Sequence, residues 1–205
     1  MFAMSVIFVF SFCPAKNRFM QPVVTCIYRQ RGKEKRTDIP KRKQKEETTV
    51  KRTGYRVLDV ARHVVNYIND RSSVGVTNLR LRLLLYFIWV EYYKATETFL
   101  FSELFYAWQL GPAIPEVFYE YCYNTANPIR DQEIRNPIDP ETAAIIDPVI
   151  DALMDKTTFQ LSEESQRSAR AWWNTYYNRA PKAMIPYEDI IRFDTLLPLF
   201  TGVPV

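Results

Sequence analysis

The chain offers little with which to do chemistry: one histidine, His63, and three cysteines, Cys13, Cys26 and Cys122, in 205 residues. These are the residue types that make general bases, nucleophiles and soft-metal ligands. A hydrolytic triad needs a base next to its nucleophile. His63 lies beside Arg62, off the apolar stripe of its segment and with no visible acid or nucleophile partner, so it is expected at the surface. No cysteine belongs to a CxxC pair, and one histidine does not complete a zinc set. The carboxylate pairs Glu163/Glu164 and Glu188/Asp189 are sequence neighbours at expected helix starts, where capping accounts for them. The chain contains no G-x-G-x-x-G, P-loop, HExxH or G-x-S-x-G. The expectation is therefore no catalytic residue, no cofactor and no metal, in a protein that is not an enzyme. Three widely spaced thiols are read as reduced and incidental, which fits a cytoplasmic protein.

Charge divides the chain. Residues 16 to 56 carry 14 Lys/Arg and 4 Asp/Glu, a net of +10, whereas residues 57 to 205 carry 13 basic and 19 acidic groups, a net of −6. From Arg29 to Arg52 only Ile39 and Val50 are aliphatic, too little apolar surface to offset the entropy of ordering. Residues 1–52 are accordingly expected to be an apolar start and a disordered basic arm, with the folded body over 53–205. The start, MFAMSVIFVFSFC, falls short of the roughly 18 apolar residues that a bilayer-spanning helix needs. It also lacks the basic n-region of a signal peptide, its first lysine being Lys16. No membrane association is expected.

The body has a 47% apolar chain average to draw on, with 5 Gly against 13 Pro, which favours helices separated by proline-marked turns. YRVLDVARHVVNYIND spaces Val57, Val60, Ala61, Val64, Tyr67 and Ile68 along one helical stripe. Thr77 suits an N-cap. Leu79 to Tyr93 is apolar or aromatic almost all round, interrupted by Arg80, Arg82 and Glu91, and reads as the central helix. FLF and LFYAW flank Ser102-Glu103 as a short hairpin. Gly111-Pro112 stops the strand, and Pro115 opens a helix that sends Val117, Phe118, Tyr121 and Cys122 inward. Residues 125 to 140 read as loop. A helix then starts at Pro140 or Glu141 and is kinked or broken at Pro148. LSEESQRSARAWWNTYYNR reads as one long helix capped by Ser162. Pro186 leads a last short helix, YEDIIRF. The fold class expected is mainly α: a compact helical domain with a small β-hairpin.

Three segments in order, VTNLRLRLLLYF, AWQLGPAIPEVFYEY and PKAMIPYEDIIRF, resemble the Panacea domain, the family of the SocA antitoxin and of GepA-like phage-associated proteins. The middle segment is similar to the family pattern A-W-x-x-G-P-x-x-P-x-V-Y through Ala107, Trp108, Gly111, Pro112, Pro115 and Val117, with Phe118 followed by Tyr119. The core-helix motif is supplied by Thr77, Asn78, Leu81, Leu84 and Tyr86. The resemblance runs from about Tyr55 to Asp194. Two departures stand out. The usual lysine of the core helix is Leu83, and the histidine and glutamate that often precede the family's tryptophan are replaced by SQRSARAWW.

The resemblance implies a bacterial or prophage antitoxin that binds and neutralises a protein toxin encoded by an adjacent gene. It also implies an adaptor role toward a protease as an open variant. The candidate partner surface is Trp108, Gly111, Pro112, Pro115, Val117 and Tyr119, aromatics being the usual anchors of interfaces. The alternative is a nucleic-acid-associated protein of a mobile element, acting through the basic arm alone.

Overall fold

The computed structural model describes residues 51–130 and 138–200. The expected basic arm, apart from Lys51 and Arg52, lies outside them, as do Cys13 and Cys26 and residues 131–137 of the expected loop.

Helix α1 (Val57–Arg71) buries Val57, Val60, Ala61, Val64 and Ile68 as the spacing predicts, together with Val65; Tyr67 is half-buried. Its first turn is capped from a distance, because the Glu103 carboxylate accepts the Val57 N–H at 3.0 Å. Helix α2 (Asn78–Thr96) starts at Thr77, whose hydroxyl accepts the Arg80 N–H. Every residue from Leu81 to Val90 is buried, so α2 is the central rod that its sequence calls for. It closes with Glu97 in the left-handed region, φ 52°.

The hairpin is present, but one segment later than expected. Strand β1 (Phe105–Trp108) pairs antiparallel with β2 (Gly111–Ala113), in the register Tyr106↔Ala113 and Trp108↔Gly111. Strand β3 (Met184–Ile185) pairs on the other side of β1, giving the order β2-β1-β3. Gly111-Pro112 thus forms the edge strand instead of ending the sheet, and an edge is where a proline without an N–H is tolerated. The Phe99–Phe101 run does not pair with β1. All three side chains are buried, and among the described residues the segment's β pairing is a parallel bridge between Phe99 and Arg52. The hairpin expected between FLF and LFYAW is not formed, because Phe99–Phe101 is buried in the core.

Helix α3 (Pro115–Glu120) carries its proline in the first turn and is followed by a 3₁₀ turn over Cys122–Asn124. Val117 and Tyr121 are buried, whereas Phe118 and Cys122 are only half-buried. Helix α4 (Pro140–Met154) is capped by Asp139, which accepts the Thr142 N–H. It is not broken at Pro148. The carbonyl that proline leaves without a partner is that of Ala144, and both residues are exposed, so water can meet it.

The expected long helix is two. Helix α5 (Thr158–Ser165) is capped by Thr157 in a reciprocal box with Gln160, so Ser162 is not the cap. Helix α6 (Ala171–Asn178) follows a break that turns Arg170 inward to Glu164 and Asp194. Pro186 leads α7 (Tyr187–Asp189), which widens into a π-helical turn over Ile190–Asp194. Around α2 pack α1, α3, α4, α5 and β2. Trp89 forms the aromatic centre, stacked on Tyr187 at 4.8 Å and edge-on to Phe105 at 6.2 Å. Among the described residues no helix is long and apolar enough to cross a membrane.

Candidate partner surface

Strand β1 alternates. Phe105 and Ala107 point into the core, while Tyr106 and Trp108 share the opposite face and are half-buried. Met184, the cross-strand partner of Tyr106, lies on that same face and is 42% exposed. Helix α3 extends the shelf: Phe118 meets Trp108 edge-on at 5.1 Å, and Tyr119 lies 5.4 Å from Phe118 and is 65% exposed. The result is an aromatic face shared by sheet and helix.

The hairpin below it is firmly held. Gly111 has φ +115°, and a Cβ there would come within 2.7 Å of both Leu83 Cδ2 and Ser165 Oγ. Glycine is needed at this point for both backbone and packing. The hairpin tip is tied to α5 by the Ser162 hydroxyl, which donates to the Leu110 carbonyl at 2.9 Å. The Trp108 carbonyl accepts the Trp172 indole N–H at 2.9 Å.

Sequence reasoning treated Arg82 as an interruption of an apolar helix. It is 7% exposed, and its guanidinium lies 5.2 Å from the Trp108 ring centre and 5.3 Å from that of Phe118. Its Nε donates to Asn78 Oδ1 at 3.1 Å, and Asn78 Nδ2 donates to the Phe118 carbonyl at 3.0 Å. The available signal was an asparagine one turn ahead of an arginine inside an apolar run. Burial pulls the guanidinium down to about 10.

Of the expected surface residues, the structure brings Trp108, Pro115 and Tyr119 to the outside or its border, and buries Gly111, Pro112 and Val117 as the support beneath. In the core-helix motif, Thr77 caps, Asn78 joins α2 to α3, and Leu81, Leu84 and Tyr86 are core. Leu83, at the position of the family's usual lysine, packs under Gly111.

Residues 83–173 match the family model for the antitoxin SocA-like, Panacea domain. The resemblance read from the sequence is borne out over this segment, a little under half of the chain. No curated protein and no solved structure matches. The Panacea match takes in β1, β2, α3, α4 and α5 with most of α2, and ends at Trp173. It therefore contains Trp108, Gly111, Pro112, Pro115, Val117 and Tyr119, and of the core-helix motif Leu84 and Tyr86. Thr77, Asn78, Leu81 and the late PKAMIPYEDIIRF segment fall outside it.

A second cluster lies outside that surface. His63, expected alone, has its Nε2 2.7 Å from Asp147 Oδ1, and the Tyr67 hydroxyl donates to Asp151 at 2.9 Å. Both acids are 84 residues away on α4, so no reading of the local sequence could pair them. Burial, then the hydrogen bond to Asp151, pushes the Tyr67 hydroxyl up to about 12. His63, Tyr67 and Asp147 border a cleft of about 580 Å³ between α1 and α4. Among the described residues no group of three or more His, Cys, Asp or Glu is placed to hold a metal ion. No cysteine or serine faces His63 in the cleft.

Proposed function

We propose that this protein is an antitoxin, one that binds a protein toxin with the aromatic face formed by β1 and α3 and so neutralises it without chemistry of its own. The observation carrying this reading is the Panacea match, whose residues build that face and its support. The face offers rigid aromatic anchors at half exposure beside the mostly exposed Tyr119. Complexes of this kind bury on the order of 1,200–2,000 Å². A surface held by Gly111 and the Trp172 hydrogen bond loses little entropy on docking. Bacterial or prophage origin, action in the cytoplasm and delivery of the toxin to a protease are finer parts of the same proposal.

The test is growth rescue. The adjacent open reading frame is induced alone, then together with the full chain or with residues 48–205. The shortened form keeps Lys51 and Thr53, which are hydrogen-bonded to Phe99. Arrest by the neighbour and rescue by both forms is the expected result. A harmless neighbour would remove the reading, and rescue by the full chain alone would move the active surface into the arm. The +10 charge of residues 16 to 56 favours a second reading, non-specific nucleic-acid binding through the arm. That binding would weaken steeply with added salt and vanish on removal of residues 1–47.

A further inference from the structure

Arg82 and Arg170 are the buried arginines among the described residues, and only Arg170 is ion-paired. A guanidinium has five N–H donors in one plane. In Arg82 the Nε donor is taken by Asn78, and the Trp108 and Phe118 rings lie against the group. The terminal nitrogens Nη1 and Nη2 meet no acceptor among the described residues, yet they are not sealed from solvent. Helix α3 carries Glu116 and Glu120, but neither pairs with Arg82; Glu120 faces Arg62 at 3.5 Å. The cation is thus desolvated by rings, fixed by one hydrogen bond, and reaches solvent narrowly, along the edge of its terminal nitrogens.

That edge has the shape of a carboxylate receptor, because a guanidinium fork and a carboxylate make two parallel N–H···O bonds. Holding the fork in place before binding removes much of the ordering cost. We propose that Arg82 receives the side-chain carboxylate of an Asp or Glu on the protein partner, with Trp108, Phe118 and Tyr119 packing around the residue that carries it. The inference rests on the reading of this face as a protein-docking surface. A nucleic-acid phosphate fits less well. Backbone binding recruits several cations in a row, whereas Arg82 is a single cation among rings in a body whose net charge is −6 over residues 57 to 205.

The test uses the full chain labelled with ¹⁵N and titrated with the capped dipeptide acetyl-Leu-Glu-amide. The Arg82 Nε–H and Trp108 indole N–H resonances are followed, with acetyl-Leu-Gln-amide and inorganic phosphate as comparisons. The glutamate peptide is expected to shift both resonances, and the glutamine peptide to act at roughly tenfold higher concentration or not at all. Arg82→Lys keeps the charge but loses the fork, and is expected to lose the response while its spectrum stays folded; Arg82→Met serves if the lysine variant unfolds. Equal response to both peptides, a stronger response to phosphate, no response, or a response that survives Arg82→Lys overturns the proposal. A parallel growth-rescue arm separates the two readings. Peptide binding without rescue by the wild-type chain sinks the antitoxin role and leaves the receptor standing, and rescue that is intact in Arg82→Lys sinks the receptor alone.

Discussion

The molecule buries two arginines in opposite ways. Arg170, at the break between α5 and α6, is 1% exposed, with Nη2 2.6 Å from Glu164 Oε1 and Nη1 3.1 Å from Asp194 Oδ1. Asp194 also accepts the Ala171 N–H at 2.9 Å, and Glu164 is met by Arg167 at 2.9 Å. Burial works to lower Arg170, and the hydrogen bond to Glu164 with the charge of Asp194 outweighs it, so the group sits above its ordinary value. Arg82 has neutral partners only, and burial pulls it the other way. A charge neutralised inside the fold ties elements together, and of its donors only the buried Arg170 Nε is left without an acceptor among the described residues. A charge clasped by rings keeps its electrostatic demand for a partner. The first is a structural centre, and the second is the receptor proposed for a partner.

The largest effect should come from opening the closed centre. Arg170→Met leaves Asp194 buried without its cation and Glu164 with Arg167, and breaking a buried pair in this way typically costs about 3–5 kcal/mol. The urea midpoint is the measurement, and a midpoint equal to wild type would mean the centre does not hold α6 and the π-helical turn to the core. Next comes the pedestal of the open centre. Gly111→Ala combines a φ of +115° with a Cβ 2.7 Å from Leu83 and Ser165, and should cost about 1–3 kcal/mol. The smaller stability effect belongs to Arg82→Gln, about 0.5–2 kcal/mol for a lost cation–π clasp. In toxin pull-down the ranking should reverse, Arg82→Gln losing more binding than its stability loss explains. If the two arginine variants track each other in both assays, the distinction between the centres fails.

The contrast between the two arginines was legible in sequence only in part, for a physical reason. Features set within a few residues were readable: the α1 stripe, the Thr77 cap, the prolines that open α3 and α4, and the apolar girth of α2. Features set by distant partners were not. The partner of β1 turned out to be Gly111–Ala113, because Phe99–Phe101 is buried and its backbone bonds Lys51 and Thr53 instead. SEESQRSARAWW reads as unbroken helix until Asp194, 24 residues beyond Arg170, draws it inward. Ser162, expected as a cap, ties the hairpin instead, and Glu164, expected to complement a helix dipole, is an ion-pair partner. At the candidate partner surface, the motif residues were visible as a pattern, but which of them lie outside depended on the pleat of β1 for Trp108 and on the face α3 turns to the core for Pro115, Val117 and Tyr119. Arg82 was visible as a residue and not as a site, since its clasp is built by three separate elements.

Asp139 extends the comparison to a charge met by donors in open water. Its carboxylate caps α4, accepting the Thr142 N–H at 2.8 Å and the Thr142 hydroxyl at 3.1 Å, and the Tyr55 hydroxyl donates to it. The Thr142 N–H foremost holds it below its ordinary 3.8. Asp194 in the closed centre is displaced upward, because burial outweighs the Ala171 N–H and Arg170. The two therefore act on stability with opposite sign. For Asp139 the folded value lies below the unfolded one, so its stabilisation is present above the unfolded value and lost as pH falls through the folded one. For Asp194 the folded value lies above, so stability is fully present below the unfolded value and lost as pH rises through the folded one. Asp139→Asn keeps an acceptor at the cap and removes the titration. In urea midpoints measured across the acid range, the variant should lose less stability than wild type on acidification and retain the opposing slope of Asp194. Equal acid loss in both proteins would mean that the cap carboxylate does not set that limb, and that exposure to water has erased the advantage its hydrogen bonds give it.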